Sequence, residues 1–384
     1  MSAASESPES FHFWSAATCI AATLKRHVWV ERGTYKLYPN MFAVLVGRPG
    51  LGKGGALNPA ASILKEANTV SLMSDRVTIE YVLEKLSKGF PSQTIAPGGG
   101  LQFGHDASAM IFSPELSIFI TASQHTLPIL ADLWDSREGD FSYGTRHKGD
   151  YKIKNSCVSM LAGSTQEWLI SSIPANAVGG GFTRRVNFVF AKDKQAFIPW
   201  PAVNHTSIRN DLVNDLRHIS QIRGEITFDK HAHELFDVYY RSAVADEFDD
   251  EATTAYKTTK WAHATKLATA ISLGSDDAPV ISERALQLAI DRVDNVLSNI
   301  SLVFRAVGES DLVTAADRVL RFIETKGYAT KSEILRVNWR HISAADLDTI
   351  LTTFVNGGLV LEKSSGKTIT YEMAPIPKKK GATP

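Results

Sequence analysis

The chain has 384 residues, more than one ordinary hydrophobic core holds, so two or three domains are expected. Hydrophobic residues make up 44% and charged residues 21%, a globular balance, and 41 basic residues against 41 acidic ones leave no net field for nucleic acid, so any DNA contact must be local. The two cysteines, Cys19 and Cys157, lie far apart without a C-x-x-C partner, which excludes a disulfide framework and a cysteine zinc site. Residues 1–10 show neither the basic nor the apolar part of a leader, and no run of about 18 apolar residues occurs anywhere. The expectation is an unexported, cytoplasmic protein with no membrane partner.

In chain order, residues 1–12 are expected to be disordered. Residues 13–25 carry Trp14, Ala17, Ile20, Ala21 and Leu24 at helical spacing, and residues 27–38 read as a hairpin turning near Gly33. Residues 41–46 are six consecutive apolar residues, a buried strand, and they feed a G-x-x-x-x-G-K loop. Pro59 predicts that the helix after the loop has a short first turn or restarts at Ala60. Thr78 is an N-cap for a helix over 79–86, and residues 91–104, with glycines at 98–100, are expected to form a flexible loop.

From there a strand (109–112), a helix (127–135), a hairpin (141–154), a strand (156–162), a helix (166–172) and a strand (185–191) alternate as in an α/β sheet. Helices over 207–222, 231–246, 255–273 and 283–304 predict a helical subdomain. Three further helices (314–323, 331–335 and 344–354) and strands at 359–362 and 368–372 form a winged-helix pattern. The expected fold class is α/β. A P-loop NTPase core spans 13–200, a helical subdomain 201–307, a winged helix 308–374 and a disordered basic tail 375–384.

The phosphate loop comprises Gly47, Pro49, Gly50, Leu51, Gly52, Lys53, Gly54 and Gly55. Glycines let successive N–H groups face one concavity, the following helix adds its positive end, and Lys53 supplies charge for the β- and γ-phosphates, so ATP is the expected ligand. Gly54 stands where a Ser or Thr hydroxyl usually meets Mg²⁺. In the strand ending Ser113, Pro114, Glu115, the proline stands where a metal-binding Asp usually does. Glu115 is the expected water-orienting carboxylate. A Mg²⁺ shell built largely from phosphates and water remains compatible with this pair of changes.

Ser164 and Thr165 end a further apolar strand; Thr165 either senses the γ-phosphate or serves only as an N-cap. Gly179 to Gly181 precede Arg184 and Arg185, which suit an arginine finger acting on a neighbouring subunit or, alternatively, surface ion pairs. Arg146, His147 and Lys148 at the tip of the 141–154 hairpin, flanked by Tyr143 and Tyr151, suit a nucleic-acid backbone or are solvated turn charges. His231 and His233, two apart, diverge on a helix and do not chelate. No protein-built metal centre is expected.

Taken together, the residues around Tyr38 to Gly47, the segment Ser113 to Leu116, the segment Gly163 to Glu167 and the run Gly179 to Arg185 resemble phage and mobile-element P-loop ATPases associated with primases and helicases. These are AAA+ relatives near the superfamily 3 and MCM-like helicases, and the resemblance covers residues 11–303. It implies an AAA+-like core and a ring, expected to be a hexamer, with ATP sites between subunits. It also implies that the hairpin tip tracks single-stranded or forked DNA, and that the host cytoplasm is the compartment if a phage encodes the chain. The reading it favours is an ATP-dependent DNA helicase or translocase of phage-like replication.

Two alternatives stay open. One is an ATP-gated DNA-binding or helicase-loader module with little hydrolysis; the other is a winged-helix origin binder whose P-loop only stabilises the fold. The winged helix has acids at Asp346 and Asp348 on its second candidate helix, which disfavours major-groove reading and leaves a replication partner protein as an equal expectation.

Overall fold

A computed structural model describes residues 5–74, 77–95, 101–120, 125–145, 149–200, 206–243, 250–304, 311–338, 342–365 and 368–374. The chain divides into two compact units, Met1–Val307 and Gly308–Pro384.

A five-stranded parallel sheet forms the centre of the first unit. Its strands are β1 (Phe42–Val46), β2 (Ser71–Met73), β3 (Ser108–Ser113), β4 (Cys157–Ser164) and β5 (Val186–Phe190), and in space they lie in the order β5-β1-β4-β3-β2. β1, β3 and β4 are buried over their whole lengths. A parallel sheet covered on both faces requires this, which is why these strands read as unbroken apolar runs rather than as alternating ones. Val46 lies beside Ser164 on one side and Phe190 on the other. The chain leaves β1 past β4 to reach β2, and leaves β4 across β1 to reach β5. Connections therefore depart in opposite directions from the carboxyl ends of neighbouring strands, the switch point at which open α/β sheets hold ligands.

Helices cover the sheet. The helix Glu9–Leu24 lies along the helix Lys53–Ala67, with the Cys19 thiol donating to the Ala60 carbonyl (3.7 Å) and the Thr23 and Thr69 hydroxyls 2.9 Å apart. The helix Lys260–Ser275 is buried on most sides, and Lys266 within it donates to the Asn40 carbonyl (2.9 Å) and side-chain oxygen (2.7 Å). Phe304, ending the helix Glu283–Phe304, meets Phe188 of β5 edge-on with ring centroids 4.9 Å apart. These helices share one hydrophobic core with the sheet.

Several local expectations change. The helix runs unbroken through Pro59; the bond lost is the one to Gly55, whose backbone can tilt without a Cβ. Part of the stretch expected to be a flexible loop pairs as antiparallel strands, Phe90–Ile95 with Leu101–Asp106. The glycines at 98–100 fall in the stretch 96–100, outside the described residues. The single helix expected over 255–273 is two, Glu251–Lys257 and Lys260–Ser275, because the Thr259 hydroxyl at the break donates to the Arg184 carbonyl (2.7 Å).

The second unit contains helices Asp311–Lys326, Lys331–Asn338 and Ala344–Asn356 and a three-stranded antiparallel sheet. Its strand Thr368–Met373 lies between Val360–Ser365 and Tyr328–Thr330. Val319, Ile323, Leu347, Ile350 and Val360 form a core of its own. Ser343 and Asp346 make a reciprocal capping box, and Asp348 pairs with Lys331. Among the described residues no helix is long and apolar enough to cross a membrane.

Candidate phosphate-binding site

The loop of residues 47–55 leaves the carboxyl end of β1 at the switch point. Its glycines serve distinct purposes. Gly50 (φ +80°) and Gly52 (φ +97°) hold left-handed backbone conformations. These conformations strain any side-chain-bearing residue. Gly47 is favoured by packing: a Cβ there would lie 2.2 Å from the side chain of Leu51, which folds back and is buried, and 3.1 Å from the Ala191 carbonyl. Gly55 faces the segment before the first helix, where a Cβ would lie 2.5 Å from the Ser7 hydroxyl. That hydroxyl donates to the Gly52 carbonyl (2.5 Å) and braces the loop from outside. Gly54 has none of these needs. Its φ is ordinary, and a Cβ would meet only the Asn58 amide nitrogen, at 3.6 Å.

Lys53 opens the helix Lys53–Ala67, where the N–H groups of the first turn have no helical partners. Its ammonium donates to the carbonyls of Gly47 (2.6 Å) and Arg48 (3.2 Å), folding over the loop. Pro49 and Gly50 are exposed at the loop's crest. Positive helix end, left-handed glycines and lysine together fit a chain of phosphates.

The charges of two carboxylates reach this lysine. Burial pulls Lys53 below the ordinary lysine range, and the charges of Glu167 and Glu115 oppose that pull. Glu115 follows β3 on a corner packed against β4. There Gly163 lets the Pro114 carbonyl approach to within 2.5 Å of where a Cβ would be, and the Ser113 hydroxyl donates to the Glu115 carbonyl (2.7 Å). Glu167 lies in the first turn of the helix Gln166–Ser172, directly after β4. β4 is fastened to the loop, since the Gly47 N–H donates to the Ser164 carbonyl (3.3 Å). Thr165 is the N-cap of that helix, its oxygen accepting from the Trp168 N–H (3.2 Å).

Glu167 is not among the residues that the sequence marks, where the only acid expected at the site is the one at the end of β3. The signal for it was an acidic first turn after the strand that neighbours the P-loop strand. Among the described residues no group of three or more His, Cys, Asp or Glu is placed to hold a metal. Two carboxylates beside a phosphate loop fit Mg²⁺ that draws the rest of its shell from phosphates and water.

The arginines lie at the other edge of the sheet. Arg185 immediately precedes β5, and Val186 pairs with Phe42 at the start of β1, so about 13 Å of strand separates this edge from the phosphate loop. Arg185 is 8% exposed. It donates to both carboxylate oxygens of Asp135 (2.7 and 2.9 Å) and to the Gly181 carbonyl (2.7 Å). Burial raises the Asp135 pKa, but its bonds to Arg185 and Arg137 outweigh this and hold the carboxyl below the ordinary range. Arg185 is thus engaged within its own subunit. Arg184 is different: its Nε is buried without a partner among the described residues, and it lines a cleft of about 520 Å³ with Lys36, Arg137 and Trp261. Burial and the adjacent Arg185 charge lower its pKa.

The hairpin consists of strands Asp140–Thr145 and Gly149–Lys154, with Tyr143 opposite Tyr151. Arg146, His147 and Lys148 lie outside the described residues.

No protein-family model and no curated protein sequence matches the chain. Among solved structures it is similar to a full-length MCM homolog from Methanopyrus kandleri, with a TM-score of 0.37 and 12% identity over 74% of this chain and 54% of that one. The chain spans about half the length of that protein. So distant a likeness carries no argument about activity, which rests on the chain's own residues.

Proposed function

We propose that the chain is an AAA+-like P-loop ATPase that acts on DNA as an oligomeric ring, an ATP-dependent helicase or translocase. The observation that carries this reading is the glycine loop with Lys53 at the switch point of a parallel sheet, within reach of the charges of Glu115 and Glu167. Lys53 and the loop N–H groups would hold the β- and γ-phosphates, Glu115 would orient the attacking water, and Thr165 would donate to the γ-phosphate. Glu167 would hold waters of the metal shell in place of the acid that Pro114 replaces. Mg²⁺, when bound, supplies neutralisation of phosphate charge. Arg184, whose Nε has no partner among the described residues and which lies far from its own loop, would serve the site of the next subunit, and Arg185 would hold that edge in shape. The tip at 146–148 would follow the DNA strand.

In the second unit, a winged helix on this reading, Asp346 is used in a cap and Asp348 in an ion pair with Lys331. The pair removes an acid and a base together, so a partner protein and groove reading stand as equal alternatives. The test is steady-state ATP hydrolysis with and without single-stranded DNA, beside strand displacement on a forked duplex. Glu115→Gln should abolish hydrolysis by about 100-fold or more while nucleotide binding survives. Hydrolysis unaffected by that change would sink the reading.

The loader alternative draws support from Gly54 and Pro114, which together remove both usual metal contacts. It expects nucleotide-dependent DNA binding with hydrolysis near background.

A further inference from the structure

Beside the phosphate loop the first unit holds a cavity of about 460 Å³, within the range of small-molecule sites. The helix Glu9–Leu24 lines it with His12, Ser15 and Ala16, the helix Lys53–Ala67 with Ala56 and Ala60, and the helix Thr206–Ile219 with Leu212. Its walls are largely apolar, yet two polar groups on them lack partners. Ser15 is 1% exposed and its hydroxyl has no hydrogen-bond partner among the described residues. The Nε2 of His12 is likewise buried and unpartnered. Burial holds His12 below the ordinary imidazole range, so at neutral pH the ring is neutral, with one nitrogen donating and the other accepting.

Buried polar groups are normally satisfied, so two orphans on one apolar wall call for a ligand with a flat apolar body and a hydrogen-bonding edge. Position narrows the choice. Ala56 follows Lys53 by three residues, about 4.5 Å along the same helix, and the alanines at 56 and 60 leave that helix face bare beside the phosphate loop. Glu9, at the cavity rim, is neutralised by two bonds from Arg292 (2.7 and 2.9 Å).

We infer that this cavity receives the nucleobase of the nucleotide whose phosphates lie on the loop of residues 47–55, its polar edge turned toward Ser15 and His12. The inference rests on the phosphate-loop reading and adds to it that the base, not only the phosphates, is recognised, by the first helix.

Calorimetric titration of the full chain with ATP, GTP and inorganic tripolyphosphate tests it. ATP should bind about tenfold more tightly than tripolyphosphate, which has phosphates and no base. Equal affinities would remove the base from the cavity. Ala16→Trp at an exposed position should fill the mouth, weaken ATP about tenfold and leave tripolyphosphate within about twofold. Equal loss of both ligands, or loss of neither, overturns the inference. Ser15→Ala removes a single oxygen without disturbing packing and should change the ATP-to-GTP ratio about threefold, with tripolyphosphate unmoved; an unchanged ratio also counts against it. Lys53→Ala must weaken ATP and tripolyphosphate alike. If it weakens neither, the phosphate loop itself has been misread, an outcome distinct from a failure of the base site.

Discussion

The two edges of the central sheet handle polar groups in opposite ways. At the carboxyl edge, Lys53 reaches, among the described residues, only carbonyls of its own loop, Glu115 and Glu167 are exposed, and first-turn N–H groups have no helical partners. At the amino edge the charges are sealed in. Asp135 and Arg185 are bidentate partners, and Lys266 donates twice to Asn40 and stands over the Trp134 ring at 4.3 Å. Asn40 in turn donates to the carbonyls of Trp134 (2.9 Å) and Val158 (3.1 Å). Groups satisfied inside one subunit hold the fold; on the proposed function, groups without partners among the described residues await a ligand. Arg184 and Arg185 show the distinction between adjacent residues of one type.

The largest expected break in this pattern is at the sealed edge. Asp135→Ala leaves the Arg185 guanidinium buried without its carboxylate and should lower stability by about 3–5 kcal/mol in denaturant unfolding. Arg184→Ala next door should change stability by no more than about 0.5 kcal/mol. Similar losses for both variants would erase the proposed division of labour between them.

At the open edge the order of effects reverses. Lys53→Ala should weaken ATP binding by about 100-fold, near 2.7 kcal/mol, and shift unfolding by no more than about 0.5 kcal/mol. A variant that unfolds instead would mean that the two bonds from Lys53 to its loop are structural.

The sealed edge also carries a pH signature. Burial pulls Lys266 from the ordinary 10.5 down to about 7, with Cys157, Asp135 and Arg185 as its charged or ionisable neighbours. Between those limits the unfolded chain keeps a proton that the folded chain has released, so stability contributed by this site rises with pH from about 7 to 10.5 and is flat below. The slope approaches about 1.4 kcal/mol per pH unit. Lys266→Met should remove it, read as the difference between the two unfolding profiles over that window. Parallel profiles would show that the ammonium stays charged in the fold, held by Asn40 and Trp134.

What was legible in the sequence was what is encoded locally. Six apolar residues followed by a glycine pattern mark β1 and its loop because strand burial and loop conformation are both set within a dozen residues. Thr78 and Thr165 declare themselves as caps for the same reason, and the structure finds both in that place. The role of Arg185 was not legible, since its partner Asp135 lies 50 residues earlier and the two meet only once β5 has crossed β1. Glu167 was hidden differently: an acid in a first helical turn is ordinary capping chemistry until the neighbouring strand is seen to lead into the glycine loop of residues 47–55. Ser15 and His12 look like unremarkable helix residues, because a cavity among three helices has no sequence signature.

The smallest expected effect concerns Gly54, and it sharpens the comparison most finely. The other loop glycines at 47, 50, 52 and 55 are each favoured by a left-handed φ or by an atom within about 3 Å, whereas Gly54 has an ordinary φ and its nearest neighbour 3.6 Å from a Cβ. Gly54→Ser should therefore fold normally, and its hydroxyl would stand where phosphate loops usually meet the metal. The Mg²⁺ concentration for half-maximal nucleotide affinity should fall by about three- to tenfold, while affinity in EDTA stays within about twofold. If the metal dependence does not move and affinity in EDTA falls instead, bare backbone at position 54 is itself part of the phosphate cradle.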